Sequence, residues 1–546
     1  MLRAILHKEI EKSLENVYPG RSQRVDFSVW RSQFADYSTN IAGSYEMAEK
    51  ISRDLMKSGM IRKYFLAEEI KAGDNGFLNF WLSEKGLLGG LKNLDKNFPA
   101  QKEKISLDYL DANPTGPVHL GHARSGFYGD VLANILKFYG HKISREFYVN
   151  NAKSSSQIQS LGKTALSIIG GGEGEEYRHE QLLEILKKPE VKKKLRKTKE
   201  PKEAGFYIAG LIQKENEEFL EKTVKIKFDL FFEEEKVYSS GMVAKILQKL
   251  RDAGVVYEKD GAAWLRSSQF GDSEDRVLIR SSGEPTYLLP DIGYHMNRLV
   301  KRKYDKAVNI FGADHYGYGP RLFAGLETIG IKPQRVKIII AQVARLIKDG
   351  KELKMSKRAG VFVTLEELIK EVGLDVARFF FLTRSLDTHL DFDLDLAKER
   401  SKKNPVYYVQ YAHARACSIL RKSGMKQKSG SQIVGVGAQN FREAKILGIS
   451  DLRAELLRNS ATRNLILKLI QFSEVVEDIA KDYQVHRLTT YAYELAKVFT
   501  DFYENAPVLA AETEELKKFR LALVSRVRKI LERSLGLMGI SAPEKM

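Results

Sequence analysis

His119 and His122 stand three residues apart with Gly121 between them. They follow a stretch that runs from alternating apolar residues (Ile105, Leu107, Tyr109) through the turn-forming DANPTGP. Beyond them the apolar positions Leu120, Phe127, Val131, Ile135 and Phe138 recur at helical spacing up to Gly140. The pattern predicts a strand, a turn and a helix that closes at a glycine. Both histidines then sit at the helix amino terminus and project to one side. Unpaired N–H groups and the positive end of the helix dipole suit that terminus to phosphate, and two imidazoles add donors. Gly121 has no side chain, so a flat ring can lie close to the backbone. A histidine pair here also suits a structural cap, so a second element has to support the phosphate reading.

That element is LIKDGKELKMSKRAG. Asp349-Gly350 predicts a tight hairpin turn between two short strands, which delivers Lys354, Met355, Ser356 and Lys357 on a loop. Two lysines three apart can close over a triphosphate and neutralise the charge that grows during displacement at its α-phosphate.

These groups need a large fold to position them. The chain has 546 residues, 43% of them apolar, enough for three or four domains with sizeable cores. Lysine and arginine number 89 against 71 acidic residues, a formal charge of +18 that favours a polyanionic partner. Cys417 is the single cysteine, which excludes an intrachain disulfide and a cysteine-built zinc site, so no structural zinc is expected. No apolar run reaches the roughly 20 residues of a membrane span, and the first residues are charged too early for a secretory signal. A soluble, cytoplasmic protein that does not bind membranes is expected.

Residues 1 to about 105 read as an autonomous domain, with a starting helix, a second helix around Ile41 to Gly59 and a strand near Phe77 to Leu82. LGGLKNLDKNFPAQKEK reads as a linker. From about 106 to 403, short β-type runs such as Ala307–Ile310 and Val336–Ile340 alternate with helices, as in an α/β domain with a parallel sheet. A charged helical insertion occupies about 154 to 241, and seven of the twelve residues of its VKKKLRKTKEPK are basic. Such a block is somewhat more typical of a solvated helical face than of an RNA contact. From about 404 to 546 the period is helical, broken by a Gly/Ser-containing stretch from Gly424 to Gly437.

HLGH and KMSKR resemble the HIGH and KMSKS signatures of class I aminoacyl-tRNA synthetases. The wider segment DANPTGPVHLGHARSG resembles the arginyl family, as do FDLFFEEEKVYSSG, GAAWLRSSQFGDSEDRVLIRSSGEPTYLLPDIGYH, FGADHYGYGPRL, DFYENAPVL and the final APEKM, in that order. The resemblance covers nearly the whole chain and implies a multidomain α/β protein. Its parts would be an appended α+β domain touching the tRNA elbow (1–105), a Rossmann-like catalytic domain with the insertion (106–403) and an all-α anticodon-binding domain (404–546). It also implies an arginine–tRNA ligase acting as a monomer on L-arginine, ATP with Mg²⁺, and tRNA(Arg).

By the same resemblance His119 and His122 bind ATP phosphates, Gly121 lies under the adenine, and Lys354, Met355, Ser356 and Lys357 form the ATP-closing loop. Lys354 and Lys357 stabilise the transition state. Asp108, Asn113, Tyr287, Asp291 and His315 match the amino-acid pocket, where a planar cation is best met by carboxylates. Asp291 also suits a helix cap, since Pro290-Asp291 precedes IGYHMNRLV and a strand carrying Tyr287 would end at Pro290. Tyr407, Tyr408, Tyr411 and Arg415 could stack on bases, although Tyr408 fits a core position better. The chain departs from the family at Asn151, Ala152 and Lys153, where an Asp and then a Gly are usual, and at Arg358 in place of the last Ser of the lysine motif. Two rival readings compete: an adenylate-forming ligase without tRNA, which leaves the helical tail unexplained, and a silent RNA-binding relative, against which the intact His and Lys motifs argue.

Overall fold

The structure is a computed structural model that describes residues 1–20, 27–31, 34–41, 44–73, 75–94, 98, 103–174, 176–353, 364–424, 455 and 459–546. Five parallel strands form the central sheet. In spatial order they are Val336–Ala341, Lys306–Gly312, Lys104–Asp108, Lys142–Val149 and Leu230–Glu233. The order reverses beside Lys104–Asp108, where the chain crosses from one half of the sheet to the other. Such a switch point opens a crevice at the carboxyl ends of the strands. Apolar side chains on both faces (Ile105, Leu107, Ala307, Val308, Ile310, Phe147) bury the sheet between helices.

The helix Leu120–Tyr139 follows the first of these strands and ends at Gly140, whose φ of 113° closes it in the left-handed region, as the sequence predicts. The 154–241 stretch forms helices with their own core (Ile158, Leu161, Leu182, Ile185, Ile208, Ile212), but it does not lie wholly outside the sheet. Leu230–Glu233 pairs in parallel with Lys142–Val149, because FDLFF supplies the apolar residues an edge position needs. The inserted helices therefore end before that strand.

The linker expected over 88–104 begins as helix, Glu84–Asn93, because Ser83 caps it and Leu87 and Leu91 bury one face. The amino-terminal domain pairs Tyr37–Asn40 with Phe77–Phe80 and Val29–Trp30, and Phe77–Phe80 in turn pairs with Lys71–Ala72. Arg31 meets Glu474 at 3.0 Å and Asp36 meets Arg463 at 2.6 Å, which docks this domain on the carboxy-terminal helices. Among the described residues those helices are Pro405–Lys422, Ser460–Asp482, His486–Asn505 and Glu514–Leu537. The stretch from 425 to 437 lies outside the described residues. No helix among the described residues is long and apolar enough to cross a membrane.

Candidate active site

The strand Lys104–Asp108 leaves the sheet through Leu110 (φ 91°) and Asp111 (φ 53°), two successive non-glycine residues with positive φ. Each such conformation costs on the order of 1–3 kcal/mol and persists only where the surroundings fix it. The strained corner throws the chain across the switch point, through Asn113 and Pro114, to His119. His119 caps the next helix. Its Nδ1 accepts from Gly121 N at 3.1 Å, while His122 Nδ1 accepts from His119 N at 3.3 Å, a reciprocal capping box built from two imidazoles.

The two histidines therefore form the structural cap that their spacing allows. Each Nδ1 is an acceptor, so each ring is neutral with its proton on Nε2, which becomes the donor. The rings stack with centroids 3.7 Å apart, and burial, then His119, push the His122 imidazole down to about 3, so it stays uncharged. Gly121 is required by the cap itself, because a Cβ there would meet the His119 ring at 2.8 Å.

The Asp349-Gly350 hairpin forms as expected. Ala344–Lys348 pairs antiparallel with Lys351–Glu352, and both turn residues have positive φ, the two-residue type that follows strand twist. Lys354, Met355, Ser356, Lys357 and Arg358 lie outside the described residues. Thr364, the next described residue, forms a β-bridge with His119. Arg124, in the helix begun by His119, donates to the carbonyls of Gln342 (2.8 Å) and Ser385 (2.7 Å) and so ties that helix to the hairpin's base. No local pattern marks Arg124 for this role, because its partners are distant in the chain.

Asp291 does not begin its helix. The helix runs Leu288–Met296 with Tyr287 at its amino-terminal boundary, so Pro290 lies inside the first turn and needs no N–H bond there. The Asp291 carboxylate instead accepts a short hydrogen bond from Tyr318. Burial pushes Asp291 up to about 7, the Tyr318 bond opposing and the Glu234 charge adding. Glu234 is also pushed up to about 7 by burial, with a hydrogen bond from Ala152 N–H opposing. Tyr148 lies in the electrostatic reach of both, and its buried hydroxyl has no hydrogen-bond partner. Two buried carboxyls raised toward neutral pH thus act on one unpartnered phenol hydroxyl. Glu234 was invisible as a site residue among the three consecutive glutamates of FFEEEK.

The other pocket candidates divide. The Asn113 side-chain carbonyl accepts from Asn150 at 2.9 Å. Tyr287 is 54% exposed, its hydroxyl accepts from Arg321 at 3.1 Å, and its ring lies 5.6 Å from Tyr318. His315 lies 5.7 Å from the Tyr318 ring and 3.9 Å from the Asp111 carboxylate, so Tyr318 joins Tyr287, His315 and Asp291. Asp108 sits deeper. It accepts from Tyr148 N at 3.2 Å, and burial pushes it up to about 8, with Arg298 opposing and Glu146 and Asp111 adding. Its carboxyl thereby ties the end of its own strand to the Tyr148 strand.

The departure at 151–153 acquires a role. Asn151 Oδ1 accepts from Glu235 N at 3.2 Å, Lys153 N donates to Glu235 at 2.9 Å, and Lys153 Nζ reaches Glu203 at 2.8 Å. With the Ala152 bond, these contacts hold the Glu234-Glu235 corner. In the helical domain, Tyr408 packs against the core and donates to Thr500 at 3.1 Å, while Arg415 donates to Tyr411 at 2.8 Å and lies over Tyr503.

Residues 87–154 and 180–382 match the family described as tRNA synthetases class I (R), catalytic domain, and residues 409–546 match the DALR anticodon binding domain. The chain is similar to the arginine–tRNA ligase of Caldanaerobacter subterraneus, 38% identical over 539 residues that span 94% of this chain and 92% of the relative. The chain belongs to the arginine–tRNA ligase family. The Bacillus subtilis member is 37% identical across the same shares of the two chains. The fold also matches the Thermus thermophilus arginyl-tRNA synthetase structure with a TM-score of 0.75 over all of both chains, at 21% identity.

Proposed function

We propose that this enzyme activates L-arginine with ATP and transfers it to the 3′-terminal adenosine of tRNA(Arg), as its family membership indicates. The observation that supports arginine is the Asp291–Glu234 pair around the unpartnered Tyr148 hydroxyl. A guanidinium offers five N–H donors in a flat fork and can serve two carboxylates and a phenol together, which a single ammonium cannot do with the same geometry. Tyr287, Tyr318 and His315 would line the pocket, and Asn113 would orient the amino or carboxylate end.

The capped helix begun by His119 would receive the ATP phosphates on the two Nε2–H groups, with Gly121 leaving room for the adenine. The arginine carboxylate oxygen attacks the α-phosphorus, the bond to the bridging oxygen breaks, and pyrophosphate leaves. Lys354 and Lys357 would neutralise charge on that leaving group, and Mg²⁺ bound with ATP would supply further neutralisation. A ribose hydroxyl of the tRNA then attacks the arginyl carbonyl carbon and AMP departs. Positioning and electrostatics suffice, without a covalent side-chain nucleophile. Residues 1–105 would touch the tRNA elbow and 404–546 the anticodon arm, in a monomer working in the cytoplasm.

The test is to charge an RNA pool with labelled arginine beside lysine and methionine. Arginine alone should be attached, at the 3′ end. Charging of lysine or methionine instead would overturn the substrate assignment.

A further inference from the structure

The loop that presents the phosphate-binding helix is gripped from outside the sheet. His179, the cap of the helix Glu180–Lys187, contacts the Thr115 carbonyl through Nε2 at 2.9 Å. Asn216, buried in the helix Pro201–Phe219, donates through Nδ2 to the next carbonyl, Gly116, also at 2.9 Å. His179 Nδ1 accepts from Leu182 N at 3.2 Å, which leaves the proton on Nε2 and makes Nε2 the donor to Thr115. Gly116 is shaped to this contact, since a Cβ there would meet the His179 ring at 3.3 Å.

The gripping unit is closely packed. Its helices Ser156–Ile169 and Pro201–Phe219 touch backbone to backbone at Gly162 and Gly205, where any Cβ would come within 2 Å of a carbonyl oxygen (1.9 Å at Pro201 and 1.8 Å at Ile158). We propose that His179 and Asn216 are positioning residues for ATP, fixing the pitch at which the Thr115–Gly116 turn delivers His119 and His122. The inference rests on the reading that those histidines receive the phosphates. Asn113, earlier in the same loop, has its own anchor in Asn150, so the clamp acts chiefly on the ATP side.

Asparagine and glutamine separate the two duties of His179. The side chain of His179→Asn can replace Nδ1 as the cap acceptor but is too short to reach Thr115. That of His179→Gln can replace the Nε2 donor but caps poorly. The experiment measures KM for ATP, KM for arginine, kcat of adenylate formation and melting temperature for these two variants, Asn216→Leu and His119→Ala. His179→Asn and Asn216→Leu should raise the ATP KM roughly five- to tenfold, the scale of one lost hydrogen bond, with the arginine KM little changed. His179→Gln should melt lower while keeping a near-normal ATP KM. If the clamp variants change only the melting temperature while His119→Ala raises the ATP KM, the clamp is merely structural and the proposal fails alone. If His119→Ala also leaves the ATP KM unchanged, the phosphate reading fails and takes the clamp with it.

Discussion

His119 and Thr364 form a β-bridge that joins the start of the helix Leu120–Tyr139 to the first described residue after the lysine stretch. Thr364 also opens a capping box, its hydroxyl accepting from Glu367 N at 3.1 Å while Glu367 accepts from Thr364 N at 2.7 Å. The same residue therefore caps the helix Leu365–Val372 and bridges to His119.

From that double role, Thr364→Ala should cost about 1 kcal/mol of stability through the lost cap and should also slow adenylate formation, while Thr364→Ser keeps both. Single-turnover kinetics beside thermal melting checks this. A lower melting temperature with a normal rate would mean that the bridge does not govern the loop.

Lys357→Ala should lower the rate of adenylate formation by about 2.7–4 kcal/mol of transition-state stabilisation, with little effect on arginine binding. Comparing the single-turnover rate with the arginine Kd decides it. An unchanged rate would remove the lysine loop from the mechanism.

Asp291→Asn should weaken the specificity constant for arginine by about 1.5–3 kcal/mol and leave the ATP KM unchanged. Because Asp291 lies inside its helix and caps nothing, the substitution should not lower the melting temperature. Wild-type activity in this variant would leave Glu234 as the sole acidic partner for the guanidinium.

The pH dependence follows from the same carboxyls. Asp291 and Glu234 are raised to about 7 in the folded, arginine-free enzyme, so they hold protons that a bound guanidinium must expel. Arginine should bind more tightly as pH rises from 6 to 8, by up to about tenfold per unit for each proton released. For stability the sign is opposite. A folded value raised above the unfolded one gives stability that is full below about 4 and lost as pH rises through 7. The melting temperature of Asp291→Asn relative to wild type should therefore climb between about pH 4 and 7 and level off above that. A pH-independent arginine Kd would show that both carboxyls are already ionised.

The residues alone determined those features whose causes are local. The strand, turn and helix around His119, the closure at Gly140 and the Asp349-Gly350 hairpin each depend on neighbours within a few positions, so spacing and residue type suffice. The acidic pocket was only half legible. Asp291 could be singled out, but its place in the helix depended on whether Pro290 ends a strand or enters a first turn, and both are locally allowed. Glu234 gains its meaning only when Leu230–Glu233 pairs with Lys142–Val149 and brings it within reach of Asp291 and Tyr148. Burial there raises both carboxyls, and burial is a property of the packed chain, not of any segment. Arg124, His179 and Asn216 likewise act on carbonyls far along the chain. A carbonyl carries no mark of its future partner, so only the tertiary structure decided which side chains hold the site in place.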